Sequence, residues 1–163
     1  MADKFDFHIC ETKANFRLRI NLTLLAVCFT AFTFMAANKP SLLKENFLLA
    51  TQITLAIPFL ITSSFARTKE IKPKLSKLWN KIGYINFIIG YSFLINTIGI
   101  MLAVLVSVWV SIIFFITNIL MSVIYSYIEF RHGGDSLSSR LLKDGFFILM
   151  LIILGIIPSL GML

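Results

Sequence analysis

Apolar and polar residues along this chain fall into long blocks. The longest apolar block covers 82–128, forty-seven residues without one Lys, Arg, Asp or Glu. As a single helix it would be roughly 70 Å long at about 1.5 Å per residue. A bilayer core is about 30 Å thick and is crossed by about 20 apolar residues. The block therefore predicts two crossings, 83–103 and 105–128, joined by a tight turn near its middle. Further apolar runs lie at 20–37, 46–66 and 145–163. The expected fold is all-α: a polytopic transmembrane helical bundle of about five spans, with an N-terminal segment 1–19, a membrane domain 20–163 and minimal extramembrane structure.

Finer patterns within these blocks add detail. Phe5, Phe7 and Ile9 alternate with polar residues, which fits a short strand or extended segment, or a loosely ordered tail. In the first span Thr23, Ala26, Thr30, Thr33 and Ala37 line one face, and small faces let helices approach closely in lipid. Pro40 separates the first two spans. Pro58 is expected to kink the second, because it removes a backbone donor, and Gln52 is expected to hydrogen-bond between helices. In 67–81, Leu75, Leu78, Trp79 and Ile82 share a helical face. That predicts a short helix in the headgroup plane or a docking surface for an acidic partner.

Gly83, Asn86, Gly90 and Thr97 cluster on one side of the third span, where Asn96 adds another buried amide. In the fourth, Ser107, Ser111, Asn118, Ser122 and Ser126 spread over only about 100° of arc. This stripe fits a packing seam or the lining of a polar path. Gly133-Gly134 supplies a turn, with Asp135 or Ser136 able to cap the helix that follows. Gly155, Pro158 and Gly161 are expected to weaken the final turns.

Composition agrees with this reading. Of 163 residues, 58% are hydrophobic and 14% charged, against about 25% charged in soluble domains. The net charge is +7, yet no basic domain suited to nucleic acid is present. The cations flank the apolar runs: four in 1–19, six in 67–81 and three in 129–143, against only Lys39 and Lys44 in the second connection. Positive charge stays in the cytoplasm, so the asymmetry predicts a plasma- or inner-membrane protein with its N-terminus cytoplasmic and its C-terminus opposite. The basic cytoplasmic face would comprise Arg67, Lys69, Lys72, Lys74, Lys77, Lys81, Arg131, Arg140 and Lys143.

The candidate chemistries are few. By this assignment no span holds a carboxylate, Lys, Arg or His, which argues against proton pumps and voltage sensors. His8 and His132 lie outside the spans, so a membrane-embedded haem lacks the commonest axial ligand. His8, Cys10 and His132 fall one ligand short of a structural zinc site. Cys10 and Cys28 are not expected to pair. His132, Asp135 and Ser136 are the residue types of a nucleophilic triad, but they form one turn and lack an oxyanion site. Gly133-Gly134 lacks the spacing and Lys of a phosphate loop. No enzyme, cofactor or metal is expected.

Two functional expectations follow. The first is a membrane scaffold or sensor subunit that presents its basic face to a protein partner or anionic lipid, the expected partners being further copies of the chain and membrane lipid. The second is a channel or carrier subunit in which the polar stripe of the fourth span, with Asn86, Asn96 or Gln52, lines a neutral polar path. A small lipid-modifying enzyme has only the His132–Ser136 turn in its favour.

Overall fold

The computed structural model describes the backbone of residues 2–70, 76–132 and 137–161, and the side chains of 12–70, 77–128, 131 and 144–161. The described elements are all helical: α1 (Ala2–Asn38), α2 (Pro40–Glu45), α3 (Phe47–Glu70), α4 (Ser76–Leu105), α5 (Val108–His132), α6 (Leu137–Leu151) and α7 (Ile157–Leu160), with a π-helical turn at Ile152–Ile156 between the last two. Four helical segments are long and apolar enough to cross a membrane: Thr12–Asn38, Phe47–Glu70, Lys77–Leu105 and Val108–Ile128. A shorter apolar stretch, Asp144–Leu160, follows. At about 1.5 Å per residue it reaches about 26 Å, short of a bilayer core of about 30 Å.

The boundaries have local causes. Pro40 opens α2, where its missing N–H costs nothing. Asn46 caps α3, its Oδ1 accepting from the Leu49 amide at 3.1 Å. The turn expected within 82–128 falls at Val106–Ser107. The amides of both residues donate to Leu102 O at 3.0 Å, and Ser107 Oγ accepts from the Val110 amide at 3.3 Å. One serine thus helps close one helix and start the next.

Two local expectations are corrected here. Residues 2–19 form neither a strand nor a loose tail, because α1 runs unbroken from Ala2. Extending a helix that already exists adds a hydrogen bond per residue without a new nucleus, which is cheaper than starting a separate element. Residues 76–81 likewise make no separate interfacial helix and form the opening turns of α4. Residues 71–75, including Leu75, Lys72 and Lys74, lie outside the described residues, as does the Gly133–Ser136 turn.

The chain divides into two compact units, 1–91 and 92–163, with α4 contributing to both. In the first unit α1 packs on α3. Its buried positions Ala14, Asn21, Cys28 and Met35 recur every seven residues, joined by Leu25. That is the seam spacing of two helices crossing at a shallow angle. The small face Thr23, Ala26, Thr30, Thr33 and Ala37 is exposed within the chain. Thr23 and Thr30 satisfy their hydroxyls on their own helix, at Arg19 O and Ala26 O, so they need no neighbour. α3 answers with Leu49, Ile53, Ala56 and Leu60, all fully buried. Against α3, the first part of α4 comes close at Gly90. A Cβ there would sit 2.9 Å from Leu60 Cγ and 3.1 Å from the Leu60 backbone nitrogen.

The second unit is built around Phe115, which is 0% exposed. Its ring sits against two glycines: a Cβ on Gly99 would lie 2.1 Å from Phe115 Cζ, and one on Gly155 would lie 2.5 Å away. Gly155 therefore makes room for a core aromatic ring, which is more than the loosening of the last turns expected of it.

Candidate functional site

The most distinctive chemistry lies in the first unit, at the end where α1 begins its apolar run, α3 finishes and α4 starts. Arg67 and Glu70 are one turn apart on α3 and nearly sequestered, at 4% and 5% exposure. Arg67 Nη1 donates to Glu70 Oε2 at 2.9 Å and to Asn80 Oδ1, on α4, at 2.8 Å. Arg17, on α1, reaches the same two acceptors: Glu70 Oε1 at 3.3 Å and Asn80 Oδ1 at 3.1 Å. Two guanidinium groups thus share one carboxylate and one amide oxygen. Burying an ion costs several kcal/mol, and only full pairing and hydrogen bonding offset it. The carboxylate is well served, with one cation on each oxygen. Arg67 is less so, because its Nε is buried without a hydrogen-bond partner among the described residues.

One helical turn deeper, the polar contacts continue without charge. Asn21 Nδ2 donates to Ser63 Oγ at 2.9 Å, and Ser63 Oγ donates to Gly83 O at 2.7 Å. This relay crosses α1, α3 and α4 in turn, with Asn21 and Ser63 both buried. Ser63 uses its hydroxyl as acceptor and donor at once, and each bond replaces one that water would otherwise supply.

The second unit carries a neutral counterpart. Asn96 on α4 is fully buried and donates through Nδ2 to Met150 O at 3.2 Å. Met150 O lies just before the π-turn, where the i to i+4 ladder changes register and carbonyls need outside donors. Asn96 Oδ1 is buried without a hydrogen-bond partner among the described residues. Ser111 on α5 donates to Ser159 Oγ on α7 at 3.2 Å, and Ser159 donates on to Gly155 O at 2.8 Å. Ser126 donates to Asp144 Oδ2 through a short bond.

Among the residues singled out from sequence, Ser111 and Ser126 therefore bond to the C-terminal elements, and Ser107 caps α5. Asn118 and Asn86 turn back to their own helices, at Phe114 O and Ile82 O. Ser122 is half-buried, while Gln52 and Gly90 are buried. On the basic face, Lys69, Lys77 and Lys81 are exposed. Arg131 is exposed too and lies over the Tyr127 ring at 5.7 Å from its centroid. Arg67 departs from that set: it is buried, held by Glu70 and Asn80, because a guanidinium can be taken inside once it has a carboxylate one turn away. Lys72, Lys74, Arg140 and Lys143 lie outside the described side chains, as do His8, Cys10, His132, Asp135 and Ser136. Among the described residues no three His, Cys, Asp or Glu side chains come together as a metal site.

Sequence reading missed Arg17, Asn21, Ser63, Glu70 and Asn80. The i, i+3 spacing of Arg67 and Glu70 was available as a signal, as was an Asn one residue inside an apolar run. Their union with Asn80 and Arg17 is a product of tertiary packing. Comparison with protein-family models, with curated proteins and with solved structures found no match.

Proposed function

We propose that this chain is an integral membrane scaffold or sensor subunit that crosses the bilayer five times, works as an oligomer, and presents a basic cytoplasmic face to a protein partner or to anionic lipid. The observation that carries this reading is the Arg17–Arg67–Glu70–Asn80 cluster. It gathers the membrane ends of α1, α3 and α4 at one place, where Lys13, Arg17, Lys69, Lys77 and Lys81 are exposed. The connection through α2 has only Lys39 and Lys44. Segregated charge of this kind orients helices in a bilayer and attracts anionic headgroups or acidic partners. The fifth crossing is Asp144–Leu160, which a locally thinned bilayer accommodates at modest cost.

The test is made on the full-length protein in its own membranes. Lys69, Lys77, Lys81 and Arg131 are replaced together by Gln, and the crosslinked complex is sized. Loss of a component beyond the chain's own copies supports the reading, whereas an unchanged complex with unchanged lipid content contradicts it. The channel or carrier reading draws less support, because Ser111 and Ser126 direct their hydroxyls to partners within the chain. Solute flux through reconstituted vesicles that a Ser111→Leu, Asn118→Leu variant abolishes would reverse that preference.

A further inference from the structure

Arg17 is held by one nitrogen and has donors to spare. Both of its hydrogen bonds, to Glu70 Oε1 and Asn80 Oδ1, leave from Nη1. Among the described residues Nε and Nη2 take no partner, and the side chain is 43% exposed. Glu70 does not cancel its charge, because Arg67 holds the other carboxylate oxygen at the shorter distance of 2.9 Å. The group of two guanidiniums and one carboxylate keeps a surplus positive charge, carried by the more accessible arginine.

The surroundings of Arg17 define what that charge would meet. Lys13 lies one helical turn before it, and Lys77 one turn before its partner Asn80; both are exposed. Flanking it on α1 are Phe16, 66% exposed, and Ile20, where the apolar run begins. A cation at the edge of an apolar run matches a lipid at headgroup depth, with phosphate on the guanidinium, acyl chain on Ile20 and the Phe16 ring at the interface on the aqueous side. A planar guanidinium offers two parallel donors to a phosphate. Here the contacts to Glu70 and Asn80 already restrict its rotamers, so a ligand does not have to order the side chain.

We propose that Arg17 is a preorganised phosphate-binding fork for an anionic phospholipid, anchored by Glu70 and Asn80. This rests on the membrane reading above and names one ligand for its basic face.

The test is a lipid titration of the detergent-solubilised full-length protein by native mass spectrometry. Phosphatidylglycerol and phosphatidylcholine are the probes, with inorganic phosphate and a polyglutamate peptide as competitors. The wild-type chain is expected to prefer phosphatidylglycerol, and Arg17→Gln to weaken that binding roughly tenfold, the equivalent of one charge-assisted hydrogen bond. Arg17→Lys keeps the charge next to Glu70 and is expected to fall in between. Lys binding as tightly as Arg would overturn the fork. Preference that survives Arg17→Gln but is lost in Lys69→Gln, Arg131→Gln overturns this site while leaving the basic-face reading intact. No preference in the wild-type chain sinks both as far as lipid is concerned. Displacement by inorganic phosphate would assign the site to free phosphate rather than a headgroup, and displacement by polyglutamate would overturn a lipid ligand in favour of an acidic protein segment.

Discussion

The two units solve the same problem, polar groups inside an apolar helical assembly, in opposite ways. The first concentrates charge at one end: Arg17 and Arg67 converge on Glu70 and Asn80, and a neutral relay through Asn21 and Ser63 leads inward. The second has no ion pair among its described residues. It joins its helices through Asn96, Ser111 and Ser159, and seats Phe115 against bare glycine backbone. Charged contacts reach across three helices but are costly to leave half-made. Neutral hydroxyl and amide contacts are individually weak and depend on close packing. The units should therefore fail differently when cut.

The largest loss is expected from Glu70→Ala. It strands Arg67 as a buried, uncompensated cation, and removing one member of such a pair costs about 3–5 kcal/mol. Chemical denaturation in detergent micelles, read by helix-sensitive circular dichroism, measures it. A loss below 1 kcal/mol would mean that the cluster is solvated and the contrast between the units false.

Gly155→Ala is expected to come next. A Cβ 2.5 Å from the Phe115 ring forces the ring or helix aside, and overpacking of this sort costs about 1–3 kcal/mol. Combining it with Phe115→Leu should recover part of the loss. Failure to recover any would assign the clash to Asn96 Oδ1, which would also lie 2.5 Å from the new Cβ.

Ser111→Ala removes one neutral hydrogen bond and should cost about 1 kcal/mol. Ser159 should dampen the effect, since it keeps its own bond to Gly155 O. Smallest of all, Lys69→Gln should change stability by less than about 0.5 kcal/mol, because an exposed lysine away from packed features contributes little.

Much of the architecture was legible because lipid solvent imposes a simple code. A charge-free block twice the length of a span must turn, and it turns at Val106–Ser107, where a serine serves as cap. What remained hidden depended on which face of each helix meets another. The threonine stripe of α1 had the right spacing for a packing face, yet hydroxyls that bond to their own i−4 carbonyls tolerate exposure, and the seam formed one face over, through Asn21 and Cys28. Arg67 carried the same signal as Lys69, a cation in a basic loop. Only the fold, by bringing Asn80 within hydrogen-bond reach of Arg67, separates the buried guanidinium from the exposed ammonium. The role of Gly99 and Gly155 was hidden likewise, since nothing in their local sequence announces that Phe115 sits against both.

The account rests on helices that thread a bilayer and leave their cationic ends together. Single cysteines at Lys44 and at Lys69, in a chain with Cys10 and Cys28 replaced, can be probed with a membrane-impermeant thiol reagent in sealed right-side-out vesicles. The account predicts labelling at position 44 from outside, and labelling at position 69 only after the membrane is opened. Equal labelling of both positions from one side would contradict it.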